Sequence, residues 1–85
     1  MKIIKRSGSE AVYDSNKIIA AVQKANASVI DYEKLSDEQI KEIADNVETA
    51  CENMKRSPSV EEIQDMVENQ LMDIKAHDIA RHYIT

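Results

Sequence analysis

In 85 residues the chain has no Trp, no Phe, one Cys, one Pro and one Gly, and each scarcity excludes something. A lone cysteine, Cys51, rules out an internal disulfide and a multi-cysteine zinc site, and makes the cytoplasm the expected compartment. A single Gly and a single Pro exclude a flexible or Pro-rich linker. With three Tyr as the only aromatics, the core has to come from Ile, Val, Leu, Ala and Met. No apolar run approaches the ~20 residues of a membrane span, so no membrane segment is expected. The opening Met-Lys-Ile-Ile-Lys-Arg likewise lacks the apolar stretch of a secretory signal. There is no Walker lysine loop, no dinucleotide glycine pattern and no carboxylate cluster at metal-ligand spacing. The length allows one domain and excludes a two-lobed enzyme, because short chains bury only ~60 to 65% of their unfolded surface.

What is present is 42% hydrophobic and 32% charged residues, a balance that fits a folded, helix-rich domain. The net charge of -5 conceals an asymmetry. Residues 1–27 carry five basic and two acidic side chains, whereas residues 28–85 carry six basic and fourteen acidic ones. Repulsion from the acidic part argues against nucleic acid as a partner for the whole surface. A small polyanion docked on the N-terminal part remains open.

Two short β-branched or aromatic-containing runs, residues 2–6 and 10–13, flank Ser7-Gly8-Ser9 and predict a β-hairpin. Asp14 stands at an N-cap position, and Ile18, Ala21, Val22 and Ala25 at helical spacing predict a first helix over 15–26. Ser36 with Gln39 is a capping box opening a second helix, with Ile40, Ile43, Ala44, Val47, Ala50, Cys51 and Met54 as its stripe. That helix is expected to end at Lys55-Arg56-Ser57-Pro58. Ser59 with Glu62 opens a third over 60–72, with Val60, Ile63, Val67, Leu71 and Ile74 on its apolar face. A fourth is expected over 76–84, burying Ile79, Ala80, Tyr83 and Ile84. The predicted fold class is therefore α+β, a short N-terminal β-hairpin followed by a four-helix cluster. The chain reaches Thr85 with no C-cap Gly or polar tail, so the expectation is one domain, 1–85, excised from a larger protein.

Lys17 is the informative local conflict, a cation in the first turn of a helix whose dipole and free N–H groups already present positive charge there. An anion at that helix end would remove the conflict, and Lys5 and Arg6 at the end of the first strand could close the other side of the site. Equally, Lys17 could point to solvent or pair with Asp14, while Lys5 and Arg6 keep a hairpin edge soluble. Charge placement alone leaves both readings open. His77 and His82 are five apart, which is not the i, i+4 spacing of a helical metal pair, so helix packing or surface roles are expected for them. Cys51, Met54, Met66 and Met72 are expected to pack. No nucleophile, base and orienting group can be assembled, so neither a catalytic nor a metal residue is assigned.

Three stretches carry a resemblance: Ile3-Ile4-Lys5-Arg6-Ser7-Gly8, then Val12-Tyr13-Asp14, then Lys17-Ile18 with Ala21 and Ala25 behind. Together with Ser59 to Glu68 and Ala80-Arg81-His82-Tyr83-Ile84, they resemble, in order and over the whole chain, the ATP-cone family. The resemblance implies an allosteric domain that binds ATP or dATP, with or without Mg2+, and regulates the catalytic domain of a ribonucleotide reductase, with homo-oligomerisation through the cone as a further implied partner mode. It implies phosphate contacts for Lys5, Arg6 and Lys17. Ile3 and Ile18 would flank the base, Asp14 would be the polar residue closing the second strand, and Gln64 would face base or ribose. Ser7 departs from the Asp common in the family after Lys-Arg, and the family's closing motif continues into basic residues past position 85. Met1 leading directly into the first strand fits an N-terminal cone of a reductase large subunit, and the Ala-Arg-His-Tyr-Ile-Thr ending is similar to the anaerobic class. The competing expectations are a helical protein-interaction or oligomerisation module that binds no nucleotide, and a small nucleotide hydrolase, which would lack the magnesium-holding carboxylate phosphoryl transfer requires.

Overall fold

A computed structural model describes residues 1–29, 34–74 and 83–84 of the chain. The two predicted strand runs pair, but over fewer residues than their pattern suggests. β1 (Lys2–Ile4) and β2 (Glu10–Val12) are antiparallel, with Lys2 opposite Val12, Ile3 opposite Ala11 and Ile4 opposite Glu10. Lys5 and Arg6 leave the ladder because the reversal starts at Lys5. Its carbonyl accepts from the Gly8 N–H at 2.9 Å and its N–H donates to the Ser9 carbonyl at 2.8 Å. Gly8 has φ +86°, the left-handed region that a side chain disfavours, so the one glycine sits where the backbone needs it. Tyr13, also predicted as strand, lies beyond β2, although its N–H still donates to the Met1 carbonyl at 2.7 Å.

Each helix begins where its cap predicts. α1 (Ser15–Asn26) is capped by Asp14, whose carboxylate accepts from the Asn16 N–H at 3.0 Å. α2 (Asp37–Glu52) and α3 (Val60–Asp73) start with complete capping boxes, Ser36 with Gln39 and Ser59 with Glu62, in which side chain and backbone of each pair bond reciprocally. The ends are less local. No glycine closes α1; instead Asn26 clasps Leu35 across the following connection, accepting from its N–H at 2.8 Å and donating to its carbonyl at 3.0 Å. α2 stops at Glu52, earlier than the basic pair predicts, because Arg56 reaches forward to Glu62 at 2.7 and 2.6 Å rather than back to the helix carbonyls. Ile74 caps α3 and is 48% exposed instead of lying on its apolar face, since the helical register has ended by that residue.

α2 is the central helix, packed against α1 on one side and α3 on the other. The core holds Ile18, Val22 and Ala25 of α1, Ile40, Ile43, Ala44, Val47 and Cys51 of α2, and Ile63, Val67 and Leu71 of α3. Full burial of an aliphatic side chain contributes ~1.5 to 3 kcal/mol, and the half-buried Tyr13 and Tyr83 pack against this aliphatic set from its edge. Five further expected packing positions fall elsewhere: Ala21 and Ala50 are exposed, Met54 is only half-buried, Met72 is 44% exposed and Ile84, expected to be buried on the last helix, is 59% exposed. Ala50 and Met72 lie on helix flanks that no other described element covers, and Met54 follows the end of α2. Met66 packs against the core, its sulfur 3.9 Å from that of Cys51. β1 docks on the α2–α3 connection: the Ile4 N–H donates to the carbonyl of buried Pro58 at 2.9 Å, and Ile4 bridges Ser59 in parallel. That docking stabilises a two-stranded hairpin that would be marginal alone.

The architecture is thus α+β, a hairpin and three helices among the described residues. The helix expected over 76–84 falls mostly on residues outside the described ones; Tyr83 and Ile84, which are described, are helical. No described helix is long and apolar enough to cross a membrane.

Candidate functional site

β-Strand alternation and the two helix starts converge on one place. Ile3 and Ala11, opposite each other in the ladder, face inward while Lys2, Ile4 and Val12 face out. Beneath them run the first turns of α1 and α3, which pack far more on α2 than on each other. The gap they leave is a cavity of about 280 Å³, close to the ~300 Å³ at which small-molecule sites begin. Ile18 and Ile63 form its border with the core; at 8% and 7% they are the most exposed core members, and both line the cavity. Ala21, predicted to be buried, opens into the cavity instead, and its small side chain leaves room there.

The polar groups are few and placed around this apolar space. Lys5, at the start of the hairpin turn, and Lys17, in the first turn of α1, supply two cations, and Asp14 lies beside them as the α1 cap. Lys17 forms no ion pair with Asp14 among the described residues, whose carboxylate serves the Asn16 N–H instead. Gln64 reaches the cavity from α3. Tyr13 and Tyr83 complete the lining. Burial pushes the Tyr13 phenol up to about 12, reinforced by Cys51 and by the carboxylates of Glu48, Asp45 and Glu52 on α2. Its hydroxyl is shielded from solvent and has no hydrogen-bond partner among the described residues. Burial raises Tyr83 as well. Both phenols are therefore neutral near pH 7.

Of the seven residues singled out from the sequence, Ile3, Lys5, Asp14, Lys17, Ile18 and Gln64 line this one cavity. Arg6 does not. It borders a neighbouring cavity of about 190 Å³ with Gln64, Asp65, Glu68, Tyr83 and Ile84, and its Nε donates to Glu61 Oε1 at 2.8 Å. Gln64 and Tyr83 line both spaces and so join them. The sequence assigned Val60 and Ile63 to packing and Ala11, Val12 and Tyr13 to the hairpin without a ligand contact; all line the larger cavity, the outward-facing Val12 only at its rim. Their signal was the alternation of β2 and the first apolar positions of α3, which mark a buried face without saying what it covers.

Among the described residues no side chain in this lining is held as an activated nucleophile. Cys51 of α2 is buried, and burial, with Glu62 and Glu48 nearby, raises its thiol, so it behaves as a core residue. Among the described residues no group of three or more His, Cys, Asp or Glu could hold a metal ion. The cavity can bind a ligand with an apolar, planar part and an anionic tail that reaches Lys5 and Lys17.

Comparison with known proteins is consistent with that chemistry. The family model described as "ATP cone domain" matches residues 1–85. The chain is 36% identical over 93 aligned positions to a vitamin B12-dependent ribonucleoside-diphosphate reductase of Thermoplasma acidophilum, covering 98% of this chain and 11% of the relative. It is 28% identical over 92 positions to the ribonucleoside-diphosphate reductase subunit alpha of Chlamydia trachomatis, covering 99% of this chain and 9% of the relative. The corresponding subunit of Chlamydia pneumoniae is 33% identical over 88 positions, 96% of this chain and 8% of the relative. The chain thus spans about a tenth of the length of the curated relatives it matches.

Proposed function

We infer the function of this chain from its family, since it belongs to the ATP-cone domains, allosteric nucleotide-sensing regulatory modules found in ribonucleotide reductase chains. We propose that ATP or dATP occupies the 280 Å³ cavity. The base lies between Ile3 and Ile18, Gln64 faces base or ribose, and the triphosphate meets Lys5, Lys17 and Arg6. Asp14 belongs on the sugar side, because a carboxylate repels phosphate and accepts from hydroxyls. Mg2+ enters as the counter-ion of the triphosphate. The observation that carries the proposal is the convergence of an apolar cavity with Lys5 and Lys17 on the net-positive N-terminal part of an acidic chain.

The domain is proposed to act without catalysis of its own, by coupling nucleotide occupancy to the activity of a ribonucleotide reductase catalytic domain, with self-association as one route. Such coupling is a free energy shared between two sites and is reciprocal. The proposed compartment is the cytoplasm. The finer assignment to the anaerobic class is a proposal resting on the residues from Ala80 to Thr85. The relatives named above are a vitamin B12-dependent reductase and alpha subunits of diphosphate reductases. The gene sequence flanking these 85 codons reads the class directly.

Calorimetric titration of the domain with ATP and with dATP tests the binding site. Both are expected to bind, and replacing Lys5 and Arg6 together with Ala is expected to weaken binding by ~3 to 6 kcal/mol, at ~1.5 to 3 kcal/mol per charge-assisted contact. Raised salt should weaken it too, because exposed charges are screened beyond ~8 to 10 Å. Unchanged affinity in a folded double variant would overturn the phosphate assignment. Absence of any nucleotide binding would favour a protein-interaction module.

A further inference from the structure

Resting on the nucleotide site just described, a second property follows from where Arg6 is held. In the structure the Arg6 guanidinium is engaged by a carboxylate of α3, Glu61, at 2.8 Å. Arg6 directly follows Lys5, a lining residue of the main cavity, yet borders the adjoining one, together with Gln64, Asp65, Glu68 and Tyr83. Glu61, Asp65 and Glu68 are spaced i, i+4 and i+7 along α3, which puts three carboxylates on one helix face. Arg6 therefore lies against an acidic stripe, and a phosphate that recruits it must compete with that stripe.

We propose that Glu61 is an internal competitor with the phosphate tail for Arg6, pairing with it when no nucleotide is bound and giving it up when a nucleotide triphosphate binds. The neighbouring Glu62 cannot take this part, because its carboxylate is held on Arg56 at 2.7 and 2.6 Å and accepts from the Ser59 N–H at 3.0 Å. Nor is Glu61 fixed by a comparable set of bonds; its ion pair is exposed, with 73% of the Arg6 and 51% of the Glu61 side chain open to solvent. Such pairs are weak enough to exchange partners, and a triphosphate carries more charge than a carboxylate. Glu61 thus tunes the affinity of the site without touching the ligand. When Arg6 moves to the phosphate, Glu61 is released in the first turn of α3, the turn that also contributes Val60 and Ile63 to the cavity wall, with Gln64 directly after it.

The test is calorimetric titration of ATP into the wild-type domain, Glu61→Gln, Glu68→Gln, Arg6→Ala and the Arg6→Ala/Glu61→Gln double variant, with circular dichroism to verify that each folds. Glu61→Gln is expected to tighten ATP binding by ~2- to 5-fold, the span of an exposed ion pair. The gain should be smaller in Glu68→Gln, which removes the same charge without freeing Arg6, and should vanish in the Arg6→Ala background. In the NMR spectrum, the Arg6 Nε–H resonance should shift on Glu61→Gln and shift again when ATP is added. Wild-type binding with no gain in Glu61→Gln overturns the competitor role and leaves the nucleotide site standing. So does an equal gain in Glu68→Gln or a gain that survives Arg6→Ala, since either assigns the effect to net charge. Absence of ATP binding by the wild-type domain overturns the nucleotide site and this role together.

Discussion

Replacing Lys17 with Ala separates a phosphate ligand from a surface cation by sign. Lys17 occupies the first turn of α1, is exposed, lines the cavity and has no ion-pair partner among the described residues. In the free domain its charge opposes the helix dipole, so its removal is expected to stabilise by ~0.3 to 1 kcal/mol. At ~4 to 8 °C per kcal/mol for a domain of this size, the melting temperature should stay level or rise by a few degrees. With ATP the direction reverses. A ligand at one hundred times its Kd stabilises by ~2.7 kcal/mol. Losing one charge-assisted contact at ~2 kcal/mol raises Kd by about 30-fold. The same ATP concentration is then only ~3 times Kd, and its stabilisation falls to ~0.9 kcal/mol. The ATP-induced shift in melting temperature should therefore shrink to about a third of the wild-type value. Thermal melts of both proteins at low salt, with and without ATP, measure all four states. Equal ATP-induced shifts in the two proteins would refute the reasoning and assign Lys17 to solvent.

Glu62 should make stability depend on acid. Its hydrogen bonds from Arg56 and from the Ser59 backbone lower its pKa to about 2, below the unfolded value of 4.5. Its contribution is fully present above pH 4.5 and declines as the pH falls toward 2, so the melting-temperature gap between wild type and Glu62→Gln should be wide at pH 6 and narrow by pH 3. Leu71 is fully buried in α3, and Leu71→Ala should cost ~2 to 5 kcal/mol in urea unfolding, a large part of the stability of a domain this small. Gly8→Ala should cost ~1 to 2 kcal/mol although a Cβ there would meet nothing within 4 Å, because the penalty lies in the φ of +86°. A neutral Gly8→Ala in the same urea assay would show that the turn relaxes.

The starts of the elements were written in the sequence because their causes are local. Asp14, Ser36 and Ser59 each cap a helix through groups two or three residues away, and Gly8 supplies the one positive φ of the turn. The anion site was half legible for the same reason: Lys17 in the first turn of α1 and Lys5 beside the hairpin turn are features of short segments. What tertiary structure decided is every pairing over longer distance. Ala21 reads as a core position from its helical spacing, yet it is exposed and borders the cavity, because no described helix packs over that flank of α1. Arg6 reads as the twin of Lys5, yet it is drawn to Glu61, fifty-five residues onward, because β1 docks on the Pro58 carbonyl and carries its turn to the start of α3. Arg56 reads as a helix-end cation, yet its bidentate bond to Glu62 ties it to the next helix. Periodicity states which side of an element is apolar and caps state where it begins. Which surface that side meets, and which opposite charge lies within reach, depends on how the elements pack, and that geometry exists only once the chain has folded.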